Sequence, residues 1–82
     1  AKIMKLKEAL AARVKELCVE KHLTTHGLSL KTGVASSTMD DIVKARNESV
    51  QLKFIFQICD GLRISLEDFF HSPYFDKEFL ID

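Results

Sequence analysis

The sequence predicts a compact all-α domain of five short helices. Apolar residues recur at helical spacing along most of the chain, and no segment has the period-two pattern or the Asn-Gly or Asp-Gly turn of a β-hairpin. At 82 residues the chain has room for one domain with one core. We expect residues 1–71 to form that domain and residues 72–82 to form a tail that packs on it or at a dimer interface.

Apolar periodicity and capping residues predict the first three helices. One apolar stripe at helical spacing predicts the first over residues 4–22. Its members are Leu6, Leu10, Val14, Leu17 and Cys18. Thr24 is a good N-cap for a second helix over 25–32, which ends at Gly33, and a third follows over 36–45.

The last two helices follow a polar loop at residues 46–49. The fourth is predicted over residues 50–61, with Gly61 closing it. Its apolar stripe consists of Leu52, Ile55, Ile58, Cys59 and Leu62. Ser65 begins a capping-box pattern, so a fifth short helix follows it, and Pro73 limits that helix.

The charge of the chain is balanced overall but unevenly spread. Residues 1–31 carry seven basic and three acidic groups (+4), residues 32–59 three of each (0), and residues 60–82 two basic and six acidic (−4). Nucleic-acid binders usually have an excess of Lys and Arg, because phosphate neutralisation supplies much of their affinity. Charge alone therefore gives only weak support to DNA binding.

The residues that carry chemistry do not form the pattern of an enzyme or a metal site. Cys18 and Cys59 belong to no metal-spacing motif and are expected in the core, and the three His are scattered. The chain has no Gly-rich phosphate loop and no Ser/His/Asp or Cys/His set. Adjacent helical carboxylates such as Asp40 and Asp41 diverge by about 100° and do not share a site. We expect no catalysis, metal, cofactor or small-molecule substrate.

No feature of the sequence indicates a membrane or export. No apolar run approaches the roughly 20 residues that span a bilayer. The basic start of the chain lacks the apolar centre and cleavage site of a signal peptide. We therefore expect a cytoplasmic location.

Residues 25–42 have the spacing of a helix-turn-helix made by helices 2 and 3. Gly33 lies where the chain must turn with a positive φ, which Gly adopts at little cost. Val34 fills the turn, and Met39 and Ile42 face the core from the third helix. The opposite face of that helix is wholly polar and points outward. It consists of Ser37, Asp40, Asp41 and Lys44.

Several short segments surround this turn in a characteristic order. They are Lys15-Glu16-Leu17, Leu23-Thr24, Lys31-Thr32-Gly33-Val34, Ser37-Thr38, Ile42, Ile58-Cys59-Asp60-Gly61-Leu62 and Ile64-Ser65-Leu66-Glu67-Asp68-Phe69-Phe70. With them, the chain from about Arg13 to Phe70 resembles the lambda-repressor-like, or Xre-type, helix-turn-helix family of bacterial and phage transcriptional regulators. The resemblance implies a sequence-specific DNA-binding regulator, a repressor, that inserts helix 3 in the major groove of double-stranded DNA.

The resemblance also implies which residues touch DNA. The base-reading positions are Ser36, Ser37, Asp40 and Asp41. The phosphate-binding positions it implies are Thr25, Thr38, Lys44, Arg46 and Asn47, and we add Lys31 because affinity should depend on the few cations near this face. Thr25 departs from the family, which commonly has Gln there, and Gly27 costs the second helix about 1 kcal/mol relative to Ala.

Two interpretations of the acids on the third helix remain open. As base readers, Asp40 or Asp41 would accept a hydrogen bond from a cytosine amino group and penalise other bases. As a solvated face, Asp40 would pair with Lys44 at i, i+4 and read nothing.

A dimer interface is predicted from aromatic residues outside the core stripe. Phe54 and Phe56 lie beside the stripe of the fourth helix, so at least one ring should be on the surface, and Tyr74, Phe75 and Phe79 add apolar area in the tail. Either the tail covers these rings, or the set forms a homodimer that binds two half-sites about one turn of DNA apart. The alternative function is a protein-interaction module that keeps the fold without strong DNA binding.

Overall fold

The computed structural model describes residues 3–81, so Ala1 and Lys2 of the predicted domain and Asp82 of the predicted tail lie outside the described residues. Five α-helices and a short 3-10 helix make up the fold. They are α1 (Leu6–Glu20), α2 (Thr25–Thr32), α3 (Ser36–Val43), α4 (Leu52–Leu62), α5 (Leu66–Phe70) and the 3-10 helix Pro73–Phe75. Between residues 3 and 81 the only β-type pairing is an isolated parallel bridge from Met4 to Leu80. The all-α prediction is confirmed.

The core lies between α1, α2, α3 and α4, because α2 packs against both α3 and α4 while α1 packs against α3. Its largest fully buried side chains are Phe69, Leu28, Met39, Ile55, Ile58, Val14 and Cys59. Cys18 and Cys59 are buried free thiols, as expected, and burial raises the pKa of both. Their raised pKa keeps both groups as neutral thiols near neutral pH.

Two residues of the predicted apolar stripes do not belong to the core. Leu6 is 44% exposed and Leu52 is 60% exposed, and each is the first residue of its helix. The apolar periodicity of the sequence extends to the first residue of each helix, but a side chain at that position is buried only if another element packs against it. The exposure of Leu52 leaves an apolar side chain on the surface of α4.

The prediction that Gly61 closes α4 is wrong. The helix continues to Leu62, and Arg63 closes it in the left-handed conformation at φ 59°. Gly61 lies inside the helix against α2, where an added Cβ would lie 2.6 Å from Thr32 Cγ2 and 2.9 Å from Thr32 Cα. The glycine therefore permits the close approach of α4 to α2 and does not make a turn.

Arg13 joins α1 to the end of α5. Its Nε donates to the carbonyl of Phe69 at 2.7 Å, and its Nη2 donates to the carbonyl of Asp68 at 2.8 Å. Its Nη1 lies 2.6 Å from Glu16 Oε1, and the side chain is only 11% exposed. A cation at a helix C-terminus stabilises the carbonyls that lack helical partners. The guanidinium therefore caps α5.

The C-terminal segment lies along α1 and α5. The 3-10 helix packs against α1, and the ring of Phe75 lies 5.0 Å from Phe70 and 6.1 Å from Phe69. The amide of Met4 donates to the carbonyl of Phe79 at 2.7 Å. These interactions place the segment beside the N-terminus of α1.

Candidate nucleic-acid interface

The turn between α2 and α3 is held by local hydrogen bonds. The Thr24 hydroxyl oxygen accepts from the amide of Gly27 at 2.9 Å, which confirms Thr24 as the N-cap of α2. Gly33 has the predicted positive φ, at 81°. The buried Ser29 hydroxyl donates to the carbonyl of Val34 at 2.5 Å, which connects α2 to the turn two residues before α3 begins. Together these bonds fix the direction in which α3 leaves the turn.

The inner and outer faces of α3 are chemically distinct. Met39, Ile42 and Val43 are buried, whereas Ser36 and Ser37 are exposed. The outer face of α3 and the N-terminal part of α2 form the walls of one shallow cleft lined by residues with polar side chains. Its lining residues are Thr25, His26, Ser29, Ser36, Ser37 and Asp40. Three of the four predicted base-reading residues therefore share a surface with the start of α2.

Sequence reasoning did not assign His26 to this cleft. The residue is exposed and lies at the second position of α2, directly after Thr25. Its position in the sequence, next to the predicted phosphate-binding residue Thr25, is the feature that could have assigned it to this surface. An exposed imidazole offers the cleft a hydrogen-bond donor.

Four charged residues at the end of α3 form one network, which we call the Arg46 cluster: Asp40, Asp41, Lys44 and Arg46. Arg46 Nη1 lies 2.6 Å from Asp40 Oδ2 and 3.2 Å from Asp41 Oδ1. Lys44 Nζ lies 3.1 Å from Asp40 Oδ1, which confirms the predicted i, i+4 pair. Hydrogen bonds from Lys44 and then Arg46 hold the pKa of the Asp40 carboxyl below its usual value. Two cations predicted to hold phosphates thus contact acids of the reading helix.

Of the remaining predicted phosphate contacts, only Thr25 lines the cleft. Thr25 is half-buried at the first position of α2, and Thr38 is half-buried in α3. Lys31 is exposed in the last turn of α2, and Asn47 is exposed in the loop after α3. Neither Lys31 nor Asn47 lines the cleft.

The predicted dimer residues separate into exposed and packed groups. Phe56 is 55% exposed, and the exposed Leu52 lies one turn earlier on α4. Phe54 packs against the core, with the Lys53 ammonium 5.2 Å from its ring centroid. The tail residue Phe75 also packs against the core. Tyr74 and Phe79 are half-buried and line a small apolar pocket with Met4 and Pro73.

Two kinds of site are absent from residues 3–81. Within that range no three His, Cys, Asp or Glu side chains are grouped so that they could hold a metal ion. Across the same residues, no helix has the length and apolar character needed to cross a bilayer.

The fold and the cleft define a helix-turn-helix domain of the kind that presents its second helix to DNA. The model of the Cro/C1-type helix-turn-helix DNA-binding domain matches residues 13–72, and the chain belongs to this family. The resemblance to lambda-repressor-like regulators is thereby confirmed. A solved structure, described as the crystal structure of the prophage Lp1 protein 11, is 27% identical, with a TM-score of 0.79 over 90% of this chain and 99% of that one. No curated protein matches the sequence significantly.

Proposed function

We propose that this chain is a sequence-specific DNA-binding transcriptional regulator, a cytoplasmic repressor without catalytic activity, that inserts α3 in the major groove of double-stranded DNA. The observation that carries the proposal is the cleft shared by the outer face of α3 and the start of α2, whose lining residues all have a hydrogen-bonding side chain. In a helix-turn-helix, the second helix reads bases while the first crosses the backbone. Membership of the Cro/C1-type family supports the same assignment.

Within this proposal, the hydroxyls of Ser36 and Ser37 contact base edges, since a hydroxyl both donates and accepts hydrogen bonds. Thr25 and the free amides at the start of α2 hold a phosphate, because the N-terminus of a helix favours an anion. Lys31, Thr38, Lys44, Arg46 and Asn47 supply the other phosphate contacts. The two Asp40 oxygens each contact a cation of the protein, which favours the solvated-face interpretation over cytosine reading.

We also propose a homodimer whose interface includes the exposed surface of Phe56. Leu52 lies one turn away and extends the apolar area, and exposed apolar patches often mark a partner surface. Phe54, Tyr74, Phe75 and Phe79, also predicted at this interface, are more buried and would contribute their remaining exposed edges. A two-fold dimer doubles the phosphate contacts, which helps a chain with no net charge.

Selection of bound sequences from a random DNA pool tests the proposal. We expect enrichment of one motif, present as two inverted half-sites about 10 base pairs apart. Replacing Ser37 with Ala should change the enriched motif, because Ser37 is exposed on the reading face. Replacing Lys31 with Ala should weaken binding to all sequences alike, since a phosphate contact carries no sequence information.

The outcomes of the selection separate the parts of the proposal. A pool without enrichment would contradict sequence-specific binding. Enrichment of a single unrepeated motif would contradict the dimer and leave DNA binding standing. A Lys31→Ala variant that changes the motif while Ser37→Ala leaves it intact would contradict the assigned reading face.

A second candidate function is a protein-interaction module that keeps the helix-turn-helix fold. Two observations favour it: Lys44 and Arg46 are already paired with acids, and Leu52 and Phe56 expose apolar surface on α4. Such a module would enrich no DNA motif. Loss of partner capture on replacing Phe56 with Ser, combined with an unenriched pool, would favour this function over the regulator.

A further inference from the structure

We infer that Asp40 and Asp41 act as internal competitors for DNA phosphate at Arg46 and Lys44. This inference rests on the proposed DNA-binding function and describes how its affinity is set. The carboxylates would hold the two cations when DNA is absent and yield them to phosphate oxygens when DNA binds. The acids would thereby reduce affinity for every DNA sequence without contacting a base.

The geometry of the Arg46 cluster supports competition because both carboxylates occupy Nη1 of Arg46, a nitrogen that phosphate oxygens can also bind. A guanidinium binds carboxylate or phosphate oxygens through its N–H groups in similar arrangements. Arg46 Nη1 contacts both Asp40 and Asp41, at 2.6 and 3.2 Å. A phosphate that approaches this nitrogen must displace at least one carboxylate oxygen. Asp40 also contacts the Lys44 ammonium, which has three donors, so at this group the carboxylate competes with phosphate mainly through its charge.

The exposure of the four groups makes the competition reversible. Their side chains are between 37% and 56% exposed. Ion pairs at this exposure are weak because water solvates both partners. Phosphate can therefore displace the carboxylates from Arg46 and Lys44. A buried pair would instead have removed both cations from DNA binding.

The charge of the cluster explains what the competition achieves. Two acids and two bases give the end of α3 no net charge. Nonspecific affinity comes from the neutralised phosphates and the counterions they release, so a neutral cluster contributes little of it. Specific binding keeps its base contacts. Because the acids lower the affinity for every sequence by the same factor, the ratio of specific to nonspecific affinity does not change, and the competition instead reduces the amount of protein held on nonspecific DNA.

A different explanation is that the cluster only fastens the loop after α3. The backbone is consistent with such a role, because the amide of Arg46 donates to the carbonyl of Asp41 at 3.0 Å and Ala45 has a positive φ of 53°. A fastening role predicts that loss of the acids lowers stability and loosens α3, which would weaken DNA binding. Competition predicts tighter binding. The two explanations therefore predict opposite changes in affinity.

The test is a double-mutant cycle on binding to a duplex of arbitrary sequence, measured by fluorescence anisotropy at several salt concentrations. The variants are Asp40→Asn with Asp41→Asn, Arg46→Gln, and the three changes together. We expect the double Asn variant to bind on the order of tenfold more tightly at low salt, with a log–log salt slope steeper by about 2, because the variant has no displaced carboxylates beside the phosphates to offset the charge of the two cations. Arg46→Gln should cost more affinity in the Asn background than in the unaltered chain.

A matched control separates local competition from overall charge. Asp76→Asn with Glu78→Gln makes the same charge change, +2, at two exposed residues of the C-terminal segment. We expect this control to tighten binding far less than the change at Asp40 and Asp41. Equal tightening by the two pairs would overturn the inference in favour of a general charge effect. Urea unfolding of each variant identifies any that bind poorly because they are unfolded.

The remaining outcomes distinguish the inference from the proposed function. If the unaltered chain binds DNA and the double Asn variant binds with equal or lower affinity, the inference is overturned and the proposed function is not. Binding by the Asn variant with none by the unaltered chain would support competition and contradict the regulator. Absence of binding by every folded variant at low salt would overturn both.

Discussion

Replacing Gly61 with Ala is expected to lower the free energy of unfolding by about 2 kcal/mol. The added Cβ would lie 2.6 Å from Thr32 Cγ2 and 2.9 Å from Thr32 Cα, so α4 must move away from α2. Overpacking of this kind costs up to about 3 kcal/mol, and Ala returns about 1 kcal/mol through its higher helix propensity. Urea denaturation followed by circular dichroism measures the difference.

Two further variants test whether the loss of stability comes from the contact between Gly61 and Thr32. Asp60→Ala alters the preceding, exposed residue of the same helix and should change stability little. Adding Thr32→Ser to Gly61→Ala removes the methyl group but leaves the overlap with the backbone of Thr32, so only part of the stability should return. A Gly61→Ala protein as stable as the unaltered chain would show that α2 and α4 do not approach so closely.

Replacing Arg13 with Met is expected to lower the free energy of unfolding by about 2–3 kcal/mol, because hydrogen bonds to a charged group are lost. The carbonyl of Phe69 loses its donor, whereas that of Asp68 keeps the amide of His71 at 3.3 Å. The 11% exposure of the side chain means that water cannot fully replace the guanidinium. Met keeps the apolar stem, so the loss reports on the polar interactions of the guanidinium, which include those with the carbonyls of Asp68 and Phe69 and with Glu16. The measurement is again the urea midpoint, with the slope checked for two-state unfolding.

Two control variants separate the effect of the charge of Arg13 from the effect of its position and its planar group. Lys15→Met removes a cation from an exposed position of the same helix and should have little effect. Arg13→Lys keeps the charge but not the planar fork, so it should restore only part of the stability. An Arg13→Met variant that behaves like Lys15→Met would contradict the role of the guanidinium as the cap of α5.

Local chemistry explains why the helix-turn-helix could be predicted from the sequence. The N-cap at Thr24, the positive φ at Gly33 and the inward positions of Met39 and Ile42 depend on residues within one or two turns. Such features are properties of short segments, and the segments agree with one another. The outward face of α3 followed from helical spacing in the same way, whereas the cleft that this face forms with α2 was not predicted.

The features that were not predicted depend on interactions between distant segments. Arg13 binds carbonyls 55 and 56 residues away, and Gly61 is constrained by Thr32 on another helix. Arg46 reaches Asp40 six residues back across a left-handed Ala45, beyond the i, i+4 rule that identified Lys44. The apolar pattern within one helix does not show which side chains of a second helix or a loop will contact that helix.

The salt dependence of DNA affinity tests the central claim, that this helix-turn-helix binds DNA, most directly. The measurement is the dissociation constant for a duplex enriched by selection, at salt concentrations from low to physiological. We expect affinity to fall with salt along a log–log slope of about −1 to −3 per protomer, because Lys31, Lys44 and Arg46 are few and two of them are contested by acids. No binding at low salt, or an affinity that does not change with salt, would contradict the claim.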